Sequence, residues 1–163
     1  VYGIGVDIDF HKVLSCIKRG VSAYQGDIKS FLNQFEDNAF DHVILSRTVD
    51  QLEEPDWIIS KSLQVGVRVT VGFVNNGFWK NRFNAFFKGA KTVNEVYPHP
   101  WYEALPANSF SIAEFESYCQ KKKITIKERI CYAGDWKKKQ NIFLEKKACI
   151  DFVNKNKMFI LVK

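Results

Sequence analysis

The 163-residue sequence predicts an α/β fold with a mostly parallel sheet, carried by a single domain spanning residues 1–163. Two observations predict it. Short apolar segments of strand length alternate with segments of helical periodicity, and the first two apolar segments end in a carboxylate. The composition, 46% hydrophobic and 26% charged, is that of a globular chain. No run approaches the length of a membrane span and nothing at the start resembles a signal peptide, so a cytoplasmic protein without a membrane role is expected.

The run Val1-Tyr-Gly-Ile-Gly-Val-Asp-Ile-Asp9 reads as a buried parallel strand ending at Asp7. Phe10, Val13, Leu14 and Ile17 follow at helical spacing, and Gly20 suits the helix end. Ligands of open α/β sheets sit beyond the carboxyl ends of the strands. A carboxylate there can accept from both hydroxyls of a ribose, which makes Asp7 a candidate nucleoside-binding residue. The competing reading is that Asp9 caps the helix and Asp7 only ends the strand. Val21–Gln25 is a second short strand, leaving through Gly26 and Asp27 into a helix around Ile28–Phe35.

Phe40–Ser46 reads as a central parallel strand, short, apolar and β-branched. Pro55 opens the next helix and Gly66 closes it, before a strand over Val67–Phe73 that exits through Val74-Asn-Asn-Gly77. Trp79, Phe83, Phe86 and Phe87 then share a helical face among Lys80, Arg82 and Lys88. That segment fits an amphipathic helix packed on the domain, a membrane-surface helix, or a docking or capping surface beside a ligand. A long connection, Lys91–Asn108, carries Trp101-Tyr102 and suits a lid or binding loop. Ser111-Ile-Ala-Glu114 is a capping box opening a helix whose Phe115, Tyr118 and Cys119 face the core. Ile124–Ile130 alternates as a half-buried strand. Asn141–Leu144 and Met158–Val162 supply the last strand pairing, with Ala148–Val153 open between strand and helix.

The four cysteines and three histidines are scattered without metal-ligand spacing, so reduced thiols and no metal are expected. The net charge of +6 is concentrated in Lys121–Lys123, Lys137–Lys139 and Lys146–Lys147. Such runs are ordinarily solvated faces, and nucleic acid is the less favoured partner.

Taken together, Gly5-Val-Asp-Ile-Asp9, Cys16–Val21, Gln25-Gly-Asp27 and Phe40-Asp-His-Val-Ile-Leu-Ser46 resemble class I S-adenosylmethionine-dependent methyltransferases, and more closely the methionine biosynthesis MetW family. Val65-Gly66, Arg68, Asn75, Gly77-Phe-Trp79 and Trp101-Tyr102 extend the likeness over roughly residues 2–130. The resemblance implies a doubly wound, mostly parallel sheet of Rossmann-like fold and S-adenosylmethionine as cofactor, held by Asp7, Ile8, Gly26, Asp27, Ile28 and Ser46. In that reading Asp7 accepts from the ribose and Asp27 lies near adenine, with backbone groups around Gly26 and Ile28. Ser46 lies near the methionine portion.

The sequence departs from the family pattern in three places. The first strand and its glycine-rich loop are absent, so both are expected just ahead of Val1. No histidine follows Pro106-Ala-Asn108, and Arg47 stands where glutamine is usual. No catalytic residue is assigned. The resemblance implies a part in methionine synthesis beside a homoserine O-acyltransferase, with the Phe78–Phe87 segment and the Trp101-Tyr102 loop as the surface meeting it or covering the ligand. The alternatives are a small-molecule methyltransferase of the same fold and a basic nucleic-acid-associated protein.

Overall fold

β1 (Ile4–Asp7) leads through a two-residue turn into α1 (Phe10–Lys18), which returns the chain to β2 (Ser22–Gln25) alongside β1. The turn is set by carboxylates. Asp7 Oδ1 accepts from the Asp9 amide at 2.9 Å, and Asp9 caps α1 by accepting from the amides of His11 and Lys12. At the other end Gly20, at φ 79°, closes α1: its amide reaches the Ile17 carbonyl and that of Val21 reaches Cys16. A left-handed residue at this position lets the last carbonyls find partners, which favours glycine.

The computed structural model describes residues 2–77, 83, 86–87, 108–132 and 157–162. After β2 come α2 (Ile28–Leu32), β3 (Val43–Ser46), α3 (Pro55–Val65), β4 (Val69–Phe73), α4 (Ile112–Lys121), β5 (Ile126–Tyr132) and β6 (Lys157–Val162). The strands form two hydrogen-bonded groups, β1-β2 and β3-β4-β6-β5. β1 pairs in parallel with β2, and β3 with β4; β6 runs antiparallel between β4 and β5. An α/β fold with parallel strands is what the alternation of patterns predicts and a Rossmann-like one is what the resemblance implies; the parallel β1–α1–β2 and β3–α3–β4 units agree with both.

The core lies between β3, β4, α3 and α4, where Leu45, Ile58, Ile59, Val69, Val71, Phe73, Ile112, Phe115 and Cys119 are buried together. Phe73 stacks on Phe110 and Phe115 at 4.6 and 5.0 Å between ring centres. Removing each such ring from water contributes on the order of 1.5–3 kcal/mol. The Ser111–Glu114 capping box forms as its spacing predicts, with Ser111 Oγ accepting from the Glu114 amide and Glu114 accepting from the Ser111 amide. A second chain of rings, Tyr24–Phe31–Phe35–Phe40, links the β1-β2 sheet to the entry of β3 at centroid spacings of 5.4, 4.9 and 4.7 Å.

Several expectations shift. α2 is shorter than Ile28–Phe35, ending at Leu32. β3 begins at Val43; Phe40 contributes an isolated parallel bridge to Gly66. β1, expected to be buried, is exposed at Ile4 and Gly5 and only half-buried at Val6 and Asp7, and β3, expected to be central, is the outer strand of its sheet among the described residues. Side chains alternate between the two faces of a strand: Leu45 is buried at 1% exposure on the face packed into the core with Ile58 and Ile59, whereas Ile44, on the opposite face, is 64% exposed; β1 and β3 each have a described strand partner on one side only. The expected strand at Asn141–Leu144 and the segment Ala148–Val153 lie outside the described residues.

Candidate functional site

The carboxyl ends of β1 and β2 meet at two acidic turns. Gly26, directly after β2, donates its amide to the Asp7 carbonyl at 3.1 Å, extending the parallel ladder one residue beyond the strands. A side chain at Gly26 would place its Cβ 2.5 Å from Cε1 of Tyr24, so glycine lets the backbone turn closely under that ring. Asp27 then caps α2: Oδ2 accepts from the Ser30 amide at 2.9 Å and from its hydroxyl at 3.2 Å. Both contacts fall on Oδ2, so the cap does not use Oδ1.

Asp7 is arranged differently. Oδ1 holds the turn through the Asp9 amide, while Oδ2 faces Lys12 Nζ at 3.6 Å. Lys12 also lies 4.0 Å from Asp9 Oδ2, and its side chain is largely exposed. One long, mobile cation thus balances two carboxylates at the rim. Each carboxylate oxygen has lone pairs beyond those used in the turn, so Asp7 keeps acceptor capacity toward the carboxyl edge. Asp9 caps α1, and Asp7, besides ending β1, holds the turn through Oδ1. Ile8, between them, is 76% exposed. Ile28 packs its side chain against the main core, and its backbone amide is one of the first-turn donors that an α-helix leaves without an internal partner.

The second half of the edge belongs to β3 and β4. Ser46 ends β3 opposite Gly72 and is exposed. Arg47 follows in the left-handed region at φ 55°, its amide bonded to the Gly72 carbonyl at 2.8 Å. A non-glycine residue held there stores strain, which the ladder bond maintains. Beyond it Val49 and Asp50 are buried, and the loop is stitched to the segment before α4: the Asn108 amide reaches the Asp50 carbonyl and its side chain the Leu52 carbonyl, each at 2.7 Å. Asn75 Oδ1 accepts from Gly77 and Ile112 amides at 3.0 and 3.4 Å.

Thus Asp7, Ile8, Gly26, Asp27 and Ile28 share one corner, whereas Ser46 stands at the end of the other sheet. Asp50, Asn75 and Asn108 organise that second corner without having been assigned a structural part from sequence; the signal was the Asn-Asn-Gly turn after β4. Trp79 and the Trp101-Tyr102 loop lie outside the described residues. Phe83, Phe86 and Phe87 are helical and exposed, with ring centres 4.3 and 5.1 Å apart in the Phe83–Phe87 and Phe86–Phe87 pairs. Among the described residues no helix is long and apolar enough to cross a membrane.

The fold is that of the S-adenosylmethionine-dependent methyltransferases. A methyltransferase from Thermotoga maritima, described as a possible histamine N-methyltransferase, superposes with a TM-score of 0.61 at 17% identity over 98% of this chain and 72% of its own. A methyltransferase from Archaeoglobus fulgidus gives 0.54 at 16% identity, over 98% and 75%. The magnesium protoporphyrin IX methyltransferase of Synechocystis, solved with S-adenosylhomocysteine bound, gives 0.59 at 12% identity, over 99% and 64%. At these identities the likeness is one of fold. Residues 1–161 match the model of the methionine biosynthesis protein MetW family, and the chain belongs to that family. No curated protein sequence matches it.

Proposed function

We propose that the chain binds S-adenosylmethionine across the carboxyl edge of its sheet and serves methionine biosynthesis in the cytoplasm, beside a homoserine O-acyltransferase. The observation carrying this reading is the corner where Asp7 and Gly26-Asp27 close two adjacent parallel strands, joined by the Gly26–Asp7 hydrogen bond. Half-exposed carboxylates fit a nucleoside better than a phosphate, which they would repel. Asp7 would accept from ribose hydroxyls once Lys12 swings aside. Asp27 Oδ1 would accept from the adenine amino group, and the first-turn amide of Ile28 would donate to a ring nitrogen. Ile8 would pack on the base and Ser46 would face the methionine portion. When bound, this cofactor carries an electrophilic methyl group. The family name supports the methionine pathway and the solved methyltransferases support the cofactor, while the partner enzyme rests on the sequence resemblance alone.

Calorimetry with S-adenosylmethionine tests this on the protein and on Asp7→Ala. Removing the acceptor for two hydroxyls is expected to weaken affinity about tenfold to a hundredfold, or about 1–3 kcal/mol. Asp9→Ala, which removes a cap, is expected to lower stability by about 1 kcal/mol. Equal affinity for the wild type and Asp7→Ala would remove the ribose assignment. Methyl transfer to small-molecule acceptors, assayed alongside, would favour an independent methyltransferase over an accessory factor.

A further inference from the structure

We infer that Lys12 is a movable cation shared by Asp7 and Asp9, which passes wholly to Asp9 when a nucleoside takes Asp7. This rests on the nucleoside reading of the corner and gives Asp9 a part in it: besides capping α1, Asp9 is the positioning residue that receives the displaced ammonium. The geometry carries the inference. Each carboxylate commits one oxygen to the backbone, Asp7 Oδ1 to the Asp9 amide and Asp9 Oδ1 to the His11 and Lys12 amides. The two Oδ2 atoms left over lie beside the same Lys12 Nζ, at 3.6 Å for Asp7 and 4.0 Å for Asp9. An ammonium has three N–H donors and can serve both. Neither separation is short enough for a direct hydrogen bond, so charge alone holds the cation and it can leave at little cost.

Helix physics does not account for a lysine at this place. Lys12 stands three residues after the N-cap, in a first turn of α1 that holds no acidic residue. The partial positive charge of a helix N-terminus disfavours a cation there, and the position is the one where glutamate or glutamine completes a capping box. The same chain shows the contrast: the corresponding residue of α4 is Glu114, which accepts from the Ser111 amide. A residue that breaks a local rule beside a candidate site answers a demand other than helix stability. Here the demand is charge. A ribose donating to Asp7 needs Oδ2 uncovered, and an ammonium with nowhere to go would oppose it. Asp9 Oδ2 offers the alternative partner already beside it, and both carboxylates are partly exposed, so the transfer desolvates nothing.

Calorimetry with S-adenosylhomocysteine, which has the same ribose and no net charge, tests this on the wild type, Lys12→Met, Asp9→Asn and the double variant. Asparagine caps a helix as well as aspartate does, so Asp9→Asn keeps the cap and removes only the charge that draws Lys12 away. Lys12→Met is expected to bind about two- to fivefold tighter, the range an exposed ion pair spans, and Asp9→Asn about two- to fivefold weaker. The double variant should bind as Lys12→Met does, because Asp9 acts through Lys12. A merely structural Asp9 would instead weaken binding equally with and without the lysine. Raising sodium chloride from about 50 to about 500 mM should strengthen binding to the wild type and leave Lys12→Met unmoved. Equal or lower affinity in Lys12→Met would overturn the inference while the cofactor reading stands, as would an Asp9→Asn loss that persists without Lys12. Absence of binding to the wild type and Lys12→Met alike would remove the cofactor reading, and the inference with it.

Discussion

Gly66→Ala tests how β3, the strand that carries Ser46, is set against the end of α3. Gly66 follows α3 and bridges Phe40 in parallel; the Phe40 amide bonds to Val65 and the Val67 amide to Phe40. Its φ of −114° and ψ of 135° suit any residue, so alanine meets no backbone strain and would gain about 0.4–1 kcal/mol from a stiffer unfolded chain. Space decides the opposite sign. The new Cβ would lie 2.7 Å from Val43 Cγ2, 3.0 Å from the Ser62 carbonyl and 3.3 Å from that of Arg68. Two of these neighbours are backbone. The third is a branched side chain whose residue is in register with fully buried Val69. Overpacking of this kind costs about 1–3 kcal/mol, so the net expectation is a loss of roughly 0.5–2.5 kcal/mol. Urea denaturation with an unchanged m-value is the assay. Val43→Ala should remove part of the clash, so the double variant should lose less than the sum of the singles. A Gly66→Ala protein as stable as the wild type, or more so, would refute the packing argument.

The remaining predictions concern charge, a thiol and the aromatic segment. The Lys122 ammonium and the Tyr118 hydroxyl, each 2.8 Å from Asp56, hold its carboxyl below the usual carboxylate range. A lowered folded value gives stability that is present above about pH 4 and is lost as pH falls through the folded value. The stability difference between wild type and Asp56→Asn should therefore shrink between pH 6 and pH 2.5 in urea titrations; a pH-independent difference would rule out the pair. Burial, then Glu116, pushes the Cys119 thiol up to about 11, with Arg129 opposing. Iodoacetamide at pH 8 should label partly exposed Cys16 and spare Cys119 until the protein unfolds, as read by peptide mass mapping. Phe86 is 84% exposed, so Phe86→Ser should change stability by less than about 0.5 kcal/mol while weakening co-purification with the acyltransferase. Unchanged binding in that stable variant would remove the segment from the proposed interface.

Much of the fold was legible because local chemistry and tertiary structure agree. Gly20, Pro55 and the Ser111–Glu114 box each mark a helix end through a backbone requirement that no distant contact alters. The α2 boundary was less legible because Phe31, Phe35 and Phe40 form a ring chain. The spacing of Phe31 and Phe35 satisfies a helical pattern, yet Phe35 lies beyond the helix end at Leu32 and packs between Phe31 and Phe40. Burial in β1 and β3 was misread for a related reason. A sequence pattern reports what a strand is suited to, and the apolar runs of these two strands suit cover on both faces, whereas Ile4 and Ile44 are exposed.

The acidic residues of the candidate corner were legible as strand and helix ends, and how their structural work divides was less so. Asp7 and Asp9 are two residues apart with the same functional group, and pattern alone cannot say which one holds the helix. The turn geometry separates them. Asp9 sits at the N-cap and its Oδ1 takes two helix amides, so its charge serves the helix end. Asp7 stands one strand-step earlier and spends a single oxygen on the turn. Asp27 resembles Asp9 in capping and Asp7 in position, since it follows a strand and keeps Oδ1 out of its cap. In the proposed reading an aspartate that ends a strand and opens a helix holds the fold and faces the ligand at once. The hydrogen bonds that shape the corner formed by Asp7, Gly26 and Asp27 are a strand-ladder bond, a turn bond and a helix cap, which the fold needs whether or not a nucleoside is bound.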